Sequence, residues 1–347
     1  MMNDKSPTIY DVAEHAGVSI ATVSRVLSGG SASAGARTKV EEAISALGYK
    51  SGATRQDNRA IAMVLSSQQN PYYASLCTGA SSEAIRAGYL PMVYSYPDTT
   101  PIEQITEDLL NTRPAGALLA GFTVESTTRR DQTRTCLRRL QQAMPLVAIG
   151  PPIEGVECDR LTSDPSQCVR KSMAHLTMLG HRRIAFIGGD RSASFSNIRE
   201  NAYHEEVLRL GCVDRQDYVA LTGCTVPAGE LAINMLLGSL DPKDYPTAIF
   251  AINDLVALGA ISQLHRHHLR IPEDMAIVGC DNAFFAPSLT PSLTTVDLHP
   301  RTHGCTAMAE LIAAIQGNRM ISFNNNVECS LVIRESCGAH LGVRHFD

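Results

Sequence analysis

Between Thr8 and Leu47 the apolar residues recur at helical spacing. Ile9, Val12, Ala13 and Ala16 make one inward stripe, Thr8 and Asp11 stand at capping-box spacing, and Gly17 ends the segment. Ser19 can cap a second helix, Ile20 to Ser28, with Val23, Val26 and Leu27 inward and Ile20, Ala21, Thr22 and Arg25 outward. A third amphipathic segment from Ser33 uses Val40, Ala43, Ile44 and Leu47 to close a small core before Gly48 and Tyr49. Lys50 to Arg59 is a polar linker. From Ala60 short apolar runs alternate with amphipathic stretches: Ile61 to Leu65, Met92 to Tyr94, Ala117 to Ala120, Leu146 to Ile149, Ile184 to Gly188, Thr247 to Ala251 and Met275 to Gly279. Each has strand length and is bounded by Gly, Pro or a helix signal. Such alternation predicts parallel sheets flanked by helices, and about ten strands fit two sheets better than one. The expected fold class is α/β: an all-α head followed by two doubly wound lobes.

Composition adds limits. The 347 residues, 44% of them hydrophobic, suffice for two or three domains. No apolar run approaches the roughly 20 residues of a spanning helix, and the polar opening lacks the plan of a secretory signal, so a cytoplasmic location and no membrane partner are expected. Ten cysteines, at 77, 136, 158, 168, 212, 224, 280, 305, 329 and 337, include no Cys-x-x-Cys pair and read as reduced, mostly buried small hydrophobes. Net charge is −5; the first sixty residues carry seven Lys/Arg against six Asp/Glu. A local balance this close to neutral permits a polyanionic partner without pointing to one.

The stretch Thr8-Ile9-Tyr10-Asp11-Val12-Ala13-Glu14-His15-Ala16-Gly17-Val18-Ser19-Ile20-Ala21-Thr22-Val23-Ser24-Arg25-Val26-Leu27 closely resembles the DNA-binding signature of the lactose-repressor (LacI/GalR) family. Segments in the same order extend the resemblance: Gly180 to Gly189, Ala251 to Ala260, Ile271 to Asp274, Leu289 to Thr295 and Leu331 to Ser336. The resemblance implies a transcriptional regulator, a repressor before an activator, with a helix-turn-helix at 1–49, a hinge linker at 50–59 and a periplasmic-binding-protein-like core at 60–340. It further implies one lobe at about 60–159 and 291–321, another at about 160–290 and 322–340, and a small-molecule effector, a sugar or sugar derivative, in the cleft between them.

In a helix-turn-helix the second helix enters the major groove. Ile20 and Ala21 can touch a thymine methyl group, and Arg25 can bridge guanine O6 and N7. Ser19, Thr22, Ser24 and Tyr10 suit phosphate oxygens. The family's hinge pattern ends in a leucine wedge, whereas the matching positions here are Ser51, Gly52, Arg55, Gln56 and Asn58. Asn58 can hydrogen-bond in the minor groove but is a poor apolar wedge, so a weakly bent operator is expected.

For the core, the resemblance points to Tyr72 and Tyr73, which can stack on a ligand or simply pack, and to Arg199, a ligand fork or a surface salt bridge. Asn253 can contact ligand or cap the next helix, and Asp281, following Met275 to Cys280, can accept from vicinal hydroxyls. The aspartate common in the family after the strand matching Leu146 to Ile149 is replaced by Gly150-Pro151-Pro152.

Rival classes fare worse. No Gly-x-Gly-x-x-Gly, phosphate loop or Gly-x-Ser-x-Gly opens a catalytic route, so neither an enzyme nor a cofactor is expected. A transport-type sugar-binding protein would share the core but needs export and has no helix-turn-helix. His265, His267 and His268, or His299 and His303, read as solvated or capping histidines and not as metal ligands. A homodimer on a pseudo-palindromic double-stranded operator follows from the single small head, and the tail from Cys337 lacks the leucine heptads of a tetramer.

Overall fold

The computed structural model describes residues 7–27, 30–47, 59–65, 70–97, 100–121, 130–150, 156, 158–162, 164–318 and 324–342. The chain divides into an N-terminal unit, residues 1–58, and a larger unit, residues 59–347.

The smaller unit contains α1 (Ile9–Ala16), α2 (Ile20–Leu27) and α3 (Ala34–Leu47). The capping box forms: the Asp11 N–H donates to Thr8 Oγ1 at 3.4 Å and the Thr8 N–H to Asp11 Oδ2 at 2.5 Å. Gly17, at φ 62°, turns the chain into α2, and the Thr22 N–H donates to Ser19 Oγ at 3.2 Å. Val12, Ala13, Ala16, Val23, Val26, Val40 and Ala43 form one core, as the sequence stripes predict.

The larger unit holds two six-stranded sheets. The first, in the order β2 (Leu90–Ser95), β1 (Ala60–Leu65), β3 (Gly116–Ala120), β4 (Leu146–Ile149), β5 (Asp159–Thr162), β11 (Asn324–Asn326), is parallel throughout. Alternation splits its residues between two faces. Ile61, Met63 and Leu65 pack with α4 (Pro71–Arg86) and α11 (Pro300–Ile315), whereas Ala62 and Val64 pack with α5 (Ile102–Thr112) and α6 (Arg130–Ala143). Both faces are thus covered, which explains the continuous apolar runs.

The second sheet repeats the plan: β7 (Val219–Ala220), β6 (Ile184–Ile187), β8 (Ala248–Ala251), β9 (Ala276–Cys280), β10 (Thr294–Asp297), then β12 (Ser330–Val332) antiparallel at the edge. Its helices include α7 (Pro165–Met178), α8 (Ser194–Arg209), α9 (Val226–Ser239) and α10 (Asp254–Arg266). The crossovers fall later than the expected 160, 291 and 322. Residues 160–162 and 324–326 pair within the first sheet, and 294–297 within the second. The expected boundaries came from the family resemblance, and each crossover lies a few residues further on because β5, β10 and β11 still pair within the sheet the chain is about to leave.

In each lobe two helices meet through glycines. A Cβ on Gly79 of α4 would lie 2.0 Å from the Arg301 carbonyl oxygen of α11, and one on Gly304 would lie 2.0 Å from that of Leu76. Gly229 of α9 and Gly259 of α10 repeat this reciprocal approach, at 2.1 and 2.0 Å. Among the described residues no helix is long and apolar enough to cross a membrane.

Candidate effector site and DNA-binding surface

The strand orders reverse direction between β1 and β3 and between β6 and β8, and a crevice outside the carboxyl ends at such a point is where doubly wound sheets bind ligands. The nominated core residues lie on the segments that leave these strand ends. Asn70, in the first lobe, caps α4 by accepting the Tyr72 N–H on Oδ1 at 2.9 Å, and its side chain lies near enough to Asp281 of the second lobe to favour that carboxylate slightly. Tyr72 packs against the cores of both lobes and meets Tyr73 edge-on, with ring centroids 5.2 Å apart. Tyr72 therefore bridges the lobes.

Asp281 is 8% exposed and has φ 112°, a left-handed backbone that a side chain adopts only under strain. Burial pushes its carboxyl well above the usual range, against the attraction of Arg199. Arg199, 6% exposed on α8, donates from Nη1 to the Ile252 carbonyl at 2.7 Å and lies over the Phe195 ring, while its Nε has no hydrogen-bond partner. That burial excludes a surface salt bridge. Asn253 is the helix cap and not a free contact: Oδ1 accepts the Val256 N–H at 2.8 Å, Nδ2 donates to the Cys224 carbonyl at 3.0 Å, and 4% of the residue is exposed. With both ends of its amide engaged, it positions the loop carrying Cys224.

Several groups here had no signal in the sequence. Asp254, fully buried at the start of α10, accepts the Thr295 hydroxyl at 2.6 Å and the Ala283 N–H at 2.7 Å, and so pins the loop that carries Asp281. Burial raises its carboxyl to about 7. The charge of the Arg199 guanidinium is felt by four thiols, Cys168, Cys224, Cys280 and Cys329. His303, read as solvated or capping, is 1% exposed on α11 with both ring nitrogens unpartnered, and burial lowers it to about 4. Among the described residues no three His, Cys, Asp or Glu side chains are arranged to hold a metal.

In the N-terminal unit, Tyr10 is 67% and Ile20 42% exposed, and Ala21, Ser24 and Arg25 are exposed on the same helix as Ile20. Ser19 and Thr22 share a hydroxyl contact at 2.9 Å, and Arg25 Nε donates to the Ala21 carbonyl at 3.2 Å. Only Val23 and Val26 of α2 are buried, and the rest of the helix faces outward or is partly exposed. Asn58 lies outside the described residues.

Residues 8–51 match the profile of bacterial regulatory proteins, lacI family, and residues 173–337 that of a periplasmic binding protein-like domain. The HTH-type transcriptional repressor CytR of Escherichia coli K12 is 29% identical over 343 residues, 97% of this chain and 98% of that protein. A complex of the transcriptional regulator CelR with cellobiose has a TM-score of 0.71 at 27% identity, covering 95% of this chain and 99% of that one. The lac repressor dimer bound to operator and the anti-inducer ONPF has a TM-score of 0.72 at 25% identity, covering 96% and 99%. A helical reading head, two lobes of one strand order and likeness along nearly the whole length agree: the chain belongs to the lacI family of bacterial regulatory proteins.

Proposed function

We propose that this chain represses transcription in the cytoplasm as a homodimer on a pseudo-palindromic operator, under control of a sugar or sugar derivative held between its lobes. Membership of the family makes it a DNA-binding regulator and not an enzyme. Arg25 reads guanine, Ile20 and Ala21 touch thymine methyl groups, and Tyr10, Ser19, Thr22 and Ser24 meet phosphates. Asn58 in place of a leucine wedge favours a weakly bent operator.

The observation that carries the effector reading is that Arg199, on the helix after β6, and Asp281, directly after β9, are both more than nine-tenths buried and within electrostatic reach of each other. A guanidinium donates and a carboxyl oxygen accepts, which together suit vicinal hydroxyls, and Tyr72 and Tyr73 offer ring faces to an apolar sugar face. CelR is solved with cellobiose, which supports a sugar. Ligand contacts that differ between open and closed lobes would couple the site to operator affinity by about 1–3 kcal/mol.

The test is thermal denaturation against a panel of sugars, sugar phosphates and nucleobases, run on the natural protein and on Asp281→Gly. Glycine relieves about 1–3 kcal/mol of backbone strain against a cost of roughly 0.5–1 kcal/mol in unfolded-chain entropy. The variant should therefore melt at or above the natural protein while losing the ligand shift. A shift that survives in Asp281→Gly, or a panel silent with both proteins, overturns the effector assignment. Selection from random duplexes tests the operator separately, and failure to enrich a two-fold symmetric sequence would refute that half.

A further inference from the structure

We propose that the effector is an acidic sugar, held through its carboxylate by the Nε edge of the Arg199 guanidinium. This rests on the effector reading above and narrows it to one ligand class. Arg199 lies on α8, the helix after β6, and its Nη1 donates at 2.7 Å to the carbonyl of Ile252, the residue that follows β8. The guanidinium therefore sits at the carboxyl ends of the two strands between which the order of the second sheet reverses. The Phe195 ring lies against it, with the ring centroid 5.4 Å from the guanidinium carbon, so its plane is held from one side.

Among the described residues this buried charge has no carboxylate within ion-pair distance, Nε has no hydrogen-bond partner, and no hydrogen bond engages Nη2. Glu200 and Glu206, acids of the same helix, pair with Arg191 and Arg209 instead. The groups that feel the Arg199 charge do not neutralise it. Burial pushes the Asp281 carboxyl and the Cys280 and Cys224 thiols up, toward their neutral forms. Burial also pushes Cys168 up, but the Cys280 thiol, Arg199 itself and the Val169 N–H bring it to about 7, a partial counter-charge at neutral pH. A buried cation without a full partner is costly, and a ligand that brings the opposite charge recovers that cost on binding.

Nε and Nη2 present two parallel N–H donors along one edge, which match the two oxygens of a carboxylate. A phosphate ester brings a third oxygen and up to a second charge to an edge with two donors and the Asp281 carboxyl nearby, so it fits less well. A neutral sugar fills the edge with hydroxyls and leaves the charge unmatched.

The full-length protein is titrated with glucuronate, galacturonate and gluconate, with glucose and galactose as their neutral parents, and with glucose 6-phosphate, and the melting temperature is read at each concentration. At least one acid should stabilise the fold and bind on the order of 100-fold more tightly than its parent, the worth of a charge-assisted pair of hydrogen bonds. It should also bind more tightly than the phosphate. Arg199→Lys keeps the charge and loses the fork, and should cut the preference for acid over parent by about tenfold or more. A neutral sugar or the phosphate that binds as tightly as the acids, or a preference undiminished in folded Arg199→Lys, overturns the proposal and leaves the effector reading standing. Silence of every ligand with the natural protein overturns the effector reading and this proposal with it. The comparison of acid with parent is made on the natural protein, so it does not depend on the variant folding.

Discussion

Asp254 shows what one buried acid does to the molecule. Its carboxyl is raised to about 7 from the usual 3.8 although two donors point at it, because no water reaches it. Below about pH 4 the carboxyl is protonated in both folded and unfolded chains. Between there and pH 7 only the unfolded chain releases the proton, so stability falls as pH rises, by up to about 4 kcal/mol for three pKa units. Urea unfolding from pH 4 to pH 8 should show Asp254→Asn losing less stability than the natural protein, and parallel curves would sink this account. At this scale the sequence was partly legible. Arg199 and Asp281 stand in segments that resemble a known family, whereas Asp254 reads as an ordinary acid opening a helix. Cys168, Cys224, Cys280 and Cys329 are far apart in the chain, and only the fold brings them all within the field of Arg199.

Elements were legible where burial imposes a pattern. The stripes of the three N-terminal helices and the apolar runs of the central strands match the packed faces. β11 is Asn324–Asn326 and β12 is three residues long; edge strands such as these pair through the backbone and need no apolar alternation. The glycine contacts between helices were equally silent, since a missing side chain leaves no mark in a hydrophobic pattern. Gly304→Ala would thrust a methyl group onto the Leu76 carbonyl, 2.0 Å away, and neither backbone can yield without unpacking α4 from α11. A loss of about 1–3 kcal/mol in denaturant unfolding is expected, as for other overpacked sites. Gly238→Ala, where a Cβ meets nothing within 4 Å, is the control and should be neutral or mildly stabilising.

For the whole molecule, the lobed plan followed from strand and helix alternation, and only the crossover positions had to be corrected. The first lobe leaves apolar side chains in the open at the end of α4 and along edge strand β2: Ile85 and Leu90 are 64% and 63% exposed, Met92 and Val93 39% and 44%. A second copy covering this edge would supply the proposed dimer. The double variant Leu90→Asp, Val93→Asp should then sediment as a folded monomer and bind operator on the order of 100-fold more weakly, since two linked heads gain that much over one. A folded dimer of undiminished affinity would place the interface elsewhere. The three crossovers, after β5, β10 and β11, carry a mechanical consequence. Three tethers let the lobes rock like a door on its hinges but resist their sliding apart, so a protease that nicks any one of them should leave the halves fastened together.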